Sequence, residues 1–193
     1  MITNEYKEQL QSLHQQKKFS ERNLWYNDIK KFIEKEQPSN IIDFGCSHGG
    51  LISKLKTDFP NISVIDGYDP GVPEFEKLPE RNYETLISTD VIEHIEPETL
   101  DSTLNYIESL FTKSAWIIIA CYPAKKYLPD GRNAHLTIET PDWWLSKLAQ
   151  TMPNSKIVWS EVIVKNPDKP MKNKKIFVDK GKQIEIRIEL KKI

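Results

Sequence analysis

Four short apolar runs, NIIDF (40–44), ISVIDGY (62–68), ETLIST (84–89) and AWIIIAC (115–121), alternate with segments whose apolar residues recur at helical spacing. That alternation is the pattern of βαβ units, in which a crossover helix returns the chain to lay each strand parallel to the last. Strands of such a sheet are covered on both faces and therefore read as nearly continuous apolar runs. Helices are expected at about 49–57 and 97–111, with Pro97 near the first turn of the second. Thr140-Pro141-Asp142 marks another helix start, combining a cap, a first-position proline and an acid in the first turn. Two late strands are expected near 156–164 (KIVWSEVIV) and 183–190 (QIEIRIEL). The second alternates strictly, as a half-exposed antiparallel strand should. A further strand is expected within 72–80, in the loop-like stretch GVPEFEKLPERN. The expectation is an α/β chain with a seven-stranded, mostly parallel sheet, helices on both faces and an antiparallel last strand.

Ahead of the sheet, Tyr6, Leu10 and Leu13, then Leu24, Trp25, Ile29, Phe32 and Ile33, lie at helical spacing, and Gln37-Pro38-Ser39 ends that stretch. At 193 residues and 38% hydrophobic content the chain can bury a real core, which excludes the disordered class. With no internal repeat or long linker, one domain is expected over 1–193: a helical segment at 1–38 and a core at 39–193. No apolar run approaches the roughly 20 residues that span a bilayer, and MITNEYKEQLQSLHQQKK lacks a signal-peptide apolar region. Cys46 and Cys121 both lie in apolar stretches and read as buried, reduced thiols of a cytoplasmic protein with no membrane partner. The net charge of −1 attracts nucleic acid to no great extent, but residues 165–193 hold ten Lys/Arg against four Asp/Glu, a local balance of +6. Such a tail either touches phosphates or forms a solvated, Lys-rich hairpin.

Within IIDFGCSHGG (41–50) stand three of the seven glycines, Gly45, Gly49 and Gly50. A strand–glycine turn–helix presents backbone N–H groups and a helix N-terminus to whatever binds above the sheet. Asp43, at the strand end, could pair with an ammonium group or fix the loop's own amides. Twenty residues after Gly49 comes Asp69, in VIDGYDPG at the end of the next strand, where a carboxylate can accept both hydroxyls of a ribose. The dinucleotide pattern G-x-G-x-x-G is absent, since the chain reads G-C-S-H-G-G from Gly45.

The stretch resembles motif I of class I S-adenosylmethionine-dependent methyltransferases, acid-x-G-x-G-x-G, with Asp43, Gly45 and Gly49 matching and Ser47 in place of the middle glycine. The resemblance covers about residues 38–121. It implies the Rossmann-like methyltransferase fold, S-adenosylmethionine as cofactor, and a cofactor site of Asp43, Gly45, Cys46, Ser47, Gly49, Asp69, Pro70 and Asp90. In that family the loop backs the methionine part and the acid after the second strand holds the ribose.

A second cluster follows. TDVIEHI places Asp90, Glu93 and His94 just past a strand's C-terminal end, the edge where open α/β sheets bind ligands, and GRNAHLTIETPDWW adds His135 after the next strand. Two carboxylates and two imidazoles form a mixed O/N set suited to Mg²⁺, Mn²⁺ or Fe²⁺. The set resembles the acid-x-x-Glu-His plus downstream His of small-RNA 3′-terminal 2′-O-methyltransferases, with Asp90 in place of a Glu. Its E-x-x-E-H part also resembles the ubiquinone-pathway O-methyltransferases. These likenesses imply that Asp90, Glu93, His94 and His135 hold a divalent ion, Mg²⁺ or Mn²⁺. Without one, a neutral His94 or His135, or Glu93, is the candidate catalytic group.

Of the remaining candidates, one of Trp143 and Trp144 is expected to pack on the sheet, while the other either lines a substrate pocket or packs structurally as well. Lys125, Lys126 and Arg132 are candidates to clasp an anionic acceptor. His14 falls in a possible helical cover, and His48 is expected to reach the cofactor through its backbone only. The expected activity is methyl transfer to an oxygen of a small or terminal hydroxyl compound. Two alternatives stand beside it: 2′-O-methylation of an RNA 3′ end, and a non-catalytic module that keeps the cofactor pocket.

Overall fold

The N-terminal segment forms two helices, α1 (Asn4–His14) and α2 (Tyr26–Glu36). In the computed structural model, which describes residues 2–14, 25–165 and 183–193, the other elements follow in chain order. They are β1 (Asn40–Phe44), α3 (Gly50–Asp58), β2 (Val64–Tyr68), β3 (Tyr83–Thr89), α4 (Leu100–Leu110), β4 (Phe111–Ala120), α5 (Pro141–Thr151), β5 (Ser155–Lys165) and β6 (Gln183–Lys192). A 3₁₀ turn at Ile92–His94 leads from β3 toward α4. The end signals read from the sequence act as expected in two places. Gln37 closes α2 in a left-handed conformation (φ 48°), after which Pro38 cannot continue the helix. The Thr140 side chain accepts the Trp143 amide and caps α5, with Pro141 in its first turn. Pro97 differs from expectation: it precedes α4, whose cap is Thr99.

The sheet has the order β2-β1-β3-β4-β6-β5. Neighbouring strands from β2 to β4 pair in parallel, and β6 runs antiparallel to both β4 and β5. Six strands, not seven, occur among the described residues. The strand expected within 72–80 is replaced by turns, because Pro70, Pro73 and Pro79 supply no N–H to a ladder and no apolar alternation compensates.

Side-chain alternation sorts the strands' apolar residues onto two buried faces. Ile42, Phe44, Leu86, Ile117 and Ile119 pack with α4 and α5 through Leu104, Ile107, Trp144 and Leu148. Ile41, Ile65, Ile87, Trp116 and Ile118 pack with α2 and α3 through Phe32, Ile33 and Leu55. Both faces are covered, which is why these strands read as apolar runs.

The half-exposed reading of β6 is corrected here. β6 lies between β4 and β5, so its polar residues are covered too, with Glu185 fully buried and Glu189 only 5% exposed. Helix α2 supplies partners for that face: Lys35 binds Glu189 (2.7 Å), Arg187 binds Asp28 (3.0 Å), and Lys191 binds Glu36. β5 is left at the edge, showing Val158, Trp159, Val162 and Val164. No described helix is long and apolar enough to cross a membrane.

Candidate active site

The strand-to-helix turn after β1 gathers at the C-terminal edge of the sheet. Gly45 and Cys46 both donate to the Tyr68 carbonyl (2.7 and 3.1 Å), tying the loop to the end of β2. Gly45 has φ 86°, and a Cβ there would lie 2.2 Å from a methyl of Val91, so glycine is required for two independent reasons. Ser47 stands where the motif would place its middle glycine, and it takes the left-handed conformation (φ 48°) that glycine adopts freely. Its amide compensates by donating to Asp69 Oδ2 (2.9 Å). The Cys46 Sγ lies beside Gly67, and the residue borders the cavity described below.

Asp69 is 6% exposed and organises this end of the cavity: besides Ser47, its Oδ1 accepts the Gly71 amide (2.9 Å). Asp43 is 3% exposed, and burial, followed by the nearby Asp69 charge, pushes its carboxyl up to about 7. A cationic group bound beside Asp43 would draw that pKa back down.

Three of the four cluster residues converge. Ligand-type atoms of Glu93, His94 and His135 all lie within 4.8 Å of one another, with His135 Nε2 3.8 Å from Glu93 Oε1. The His94 and His135 rings meet edge-on at 4.7 Å. Each imidazole is oriented by a backbone carbonyl: Nδ1 of His94 donates to Ala134 (2.7 Å) and Nδ1 of His135 to Tyr122. These bonds set the tautomer, with the proton on Nδ1 of each ring, as a backbone carbonyl does for a metal-ligating histidine. The loop that carries His135 is sewn to the 3₁₀ turn by Thr137 N to Glu93 O (3.0 Å) and Thr137 Oγ1 to Ile95 O (2.9 Å).

Asp90 does not join this group. It ends β3 in a left-handed conformation (φ 55°) with its amide on Ile118 O, one turn short of the Thr137 stitching. Its Oδ1 is buried with no hydrogen-bond partner among the described residues, and the residue borders the shared cavity. The expected four-ligand set is thereby reduced to one carboxylate and two imidazoles.

One cavity of about 550 Å³ runs from the Gly45–Asp69 loop to His94 and His135, a volume typical of small-molecule sites. Helix α1 covers it. At one end Thr3 donates twice to the buried Glu96 carboxylate (N and Oγ1, both 2.9 Å); at the other His14 Nε2 lies 3.7 Å from Asp69 Oδ1. His48 borders the cavity and meets the His14 ring edge-on. Lys125 and Lys126 border it as well, and Arg132 pairs with Asp130 (2.7 Å). Trp144 is fully buried against the sheet as expected, but Trp143 lines a separate hollow beside Pro97 and Leu100 and not this cavity. Tyr6 and Glu96 were not singled out by sequence: Tyr6 matches an ordinary core position of an amphipathic helix, and nothing in the chain links Glu96 to Thr3.

Residues 14–157 match the family model described as a methyltransferase domain, and the chain belongs to that family. It is an S-adenosylmethionine-dependent methyltransferase of class I. The fold is similar to 1,6-didemethyltoxoflavin-N1-methyltransferase of Burkholderia thailandensis, solved with 1,6-didemethyltoxoflavin and S-adenosylhomocysteine. That likeness has a TM-score of 0.63 at 13% identity over 97% of this chain and 89% of that one. Magnesium protoporphyrin IX methyltransferase of Synechocystis, with bound S-adenosylhomocysteine, gives 0.54 at 14% identity over 87% and 82%. The methyltransferase domain of bacterial CtHen1-CN gives 0.53 at 15% identity over 90% and 100%. No curated protein sequence matches the chain.

Proposed function

We propose that this methyltransferase acts on an oxygen of a small hydroxyl compound, with Glu93, His94 and His135 holding a divalent cation beside the acceptor. The observation that carries the reading is the convergence of these three side chains in the same cavity as the Gly45–Asp69 loop. Bound S-adenosylmethionine supplies an electrophilic methyl carbon, and a bound cation makes a neighbouring hydroxyl more acidic. In the transfer the S–CH₃ bond breaks as the O–CH₃ bond forms, sulfur keeps the electron pair, and the hydroxyl proton leaves to water.

The chain's own residues prepare that event by position. The loop amides and Asp69 fix the cofactor end, and Asp43 and Asp90 offer carboxylates to its ammonium group. Glu93 is fully buried, and a bound cation would balance the charge of its carboxylate. Glu93 and His135 stand 3.8 Å apart, so that both would hold the same divalent ion, and His94 with them. His94 is held neutral, its pKa pushed down to about 3, first by burial and then by His135. So weak a base accepts little of a hydroxyl proton at neutral pH, which favours its role as a neutral ligand over that of general base. Without Asp90 the donor set is richer in nitrogen, which favours Mn²⁺ or Fe²⁺ over Mg²⁺.

The α1 cover supports a small acceptor over the end of an RNA chain. Lys172, Lys174 and Lys175 of the basic tail lie outside the described residues. The test is transfer from methyl-labelled S-adenosylmethionine to a low-molecular-weight metabolite extract, with chelator and with Mn²⁺ restored. Label in a small product, lost with chelator and regained with Mn²⁺, is the expected result. Chelator-insensitive transfer removes the cation. Label in an RNA oligonucleotide alone selects the RNA reading, and cofactor binding with no transfer selects the non-catalytic module.

A further inference from the structure

Tyr6 sits on α1 where that helix passes over the cavity between Glu96 and Asp69. It is 1% exposed, it borders the cavity that holds His94 and His135, and its hydroxyl has no hydrogen-bond partner among the described residues. Buried hydroxyls nearly always find a partner, because one left unmatched forfeits the bonds it made to water. Burial, reinforced by the charges of Glu96, Glu93 and Asp69, holds the phenol in its protonated form, so it has a proton to donate. The ring is fixed in place by Leu13 and Leu128, and the Tyr6 amide is bonded to Thr3 Oγ1 (3.2 Å), itself anchored on Glu96. Ring and backbone are therefore held, and only the O–H is unmatched.

We propose that Tyr6 is an acceptor-binding residue whose O–H donates a hydrogen bond to a second oxygen of the methyl acceptor, adjacent to the hydroxyl that receives the methyl group. The acceptor class is then a small molecule with two neighbouring oxygens. One is a hydroxyl placed at Glu93, His94 and His135; the other is a carbonyl, carboxylate or ether oxygen placed at Tyr6. A compound with one isolated hydroxyl leaves the phenol unmatched and binds less well. The assignment deepens the proposed transfer to a small acceptor and rests on it. It also gives α1 a role in selection: the helix carries a donor into the site, and Glu96 sets that donor's position through Thr3.

Tyr6→Phe keeps the ring and removes the O–H. Wild type and variant are compared on a dilution series of the metabolite extract with methyl-labelled S-adenosylmethionine and Mn²⁺, alongside S-adenosylhomocysteine affinity by calorimetry and thermal melting. The variant should need roughly tenfold more extract for half-maximal labelling, the effect of one lost hydrogen bond. Its affinity for S-adenosylhomocysteine should be unchanged and its melting temperature equal or higher, because an unmatched buried group has been removed. A purely structural role would lower the melting temperature, and that result overturns the assignment. Equal labelling by both proteins also overturns it while leaving the transfer reaction intact. No labelling by the wild type overturns the transfer reading itself, and the Tyr6 assignment with it.

Discussion

Gly45→Ala probes the joint between the glycine loop and the Glu93–His94–His135 cluster. The added methyl meets Val91 Cγ2 at 2.2 Å, Cγ1 at 2.6 Å and Cβ at 3.0 Å, and these atoms belong to a β-branched side chain with little room to turn away. Overpacking of this kind costs about 1–3 kcal/mol. A φ of 86° adds about 1–2 kcal/mol for any residue with a Cβ. The total is about 2–5 kcal/mol. For 193 residues, an unfolding entropy of about 0.4 kcal/mol/K turns that into a fall of about 5–12 °C in melting temperature. Denaturant unfolding measures the loss directly. Val91→Ala removes both offending methyl groups, so the double variant should recover the overpacking part and keep the backbone strain, giving a coupling of about 1–3 kcal/mol. Val91 stands two residues before Glu93, so the single variant should also lose any stabilisation by Mn²⁺. Stability within about 0.5 kcal/mol of wild type, or strict additivity in the double variant, would refute the reasoning.

Asp69→Ala removes the acceptor of the Ser47 and Gly71 amides, and should weaken S-adenosylhomocysteine binding at least roughly tenfold by calorimetry; unchanged affinity takes Asp69 out of the site. Mn²⁺ should raise the melting temperature of the wild type, and His135→Ala should abolish that rise with cofactor affinity retained; a rise that persists in the variant shows the ion binds elsewhere. Two groups with opposite shifts should cancel between about pH 4 and 6.5. His94, depressed to about 3, is neutral when folded and charged when unfolded, so its contribution is lost as pH falls below about 6.5. Asp43, raised to about 7, is protonated when folded and ionised when unfolded, so its contribution is lost as pH rises through that range. Asp43→Asn should therefore leave stability climbing with pH at about 1.4 kcal/mol per unit, and His94→Gln should leave it falling at the same rate; parallel profiles in the two variants would contradict both assignments.

The sequence by itself determined the six segments that become sheet, though it also suggested a strand within 72–80 that is not there, and it determined where the glycine loop meets the sheet edge. Apolar runs such as IIDF and AWIIIA are legible because a strand buried on both faces needs no polar position, and Gly45, Gly49 and Asp69 are legible because backbone conformation and spacing are local properties. Glu93 and His94 were readable for the same reason, lying in the turn directly after β3. What lay beyond the sequence depended on which parts of the chain meet. β6 alternates as a surface strand would, yet its charged face is buried because α2, more than 140 residues earlier, brings Lys35, Asp28 and Glu36 against it. Asp90 has the right residue type and spacing for a ligand. It is left out because Thr137 draws the His135 loop onto Glu93 and Ile95, one turn further along. Tyr6 looks like any core position of an amphipathic helix. Long-range contacts such as Thr3–Glu96, across 93 residues, and His14–Asp69 carry it over the cavity, and no periodicity in a sequence encodes contacts between segments so far apart.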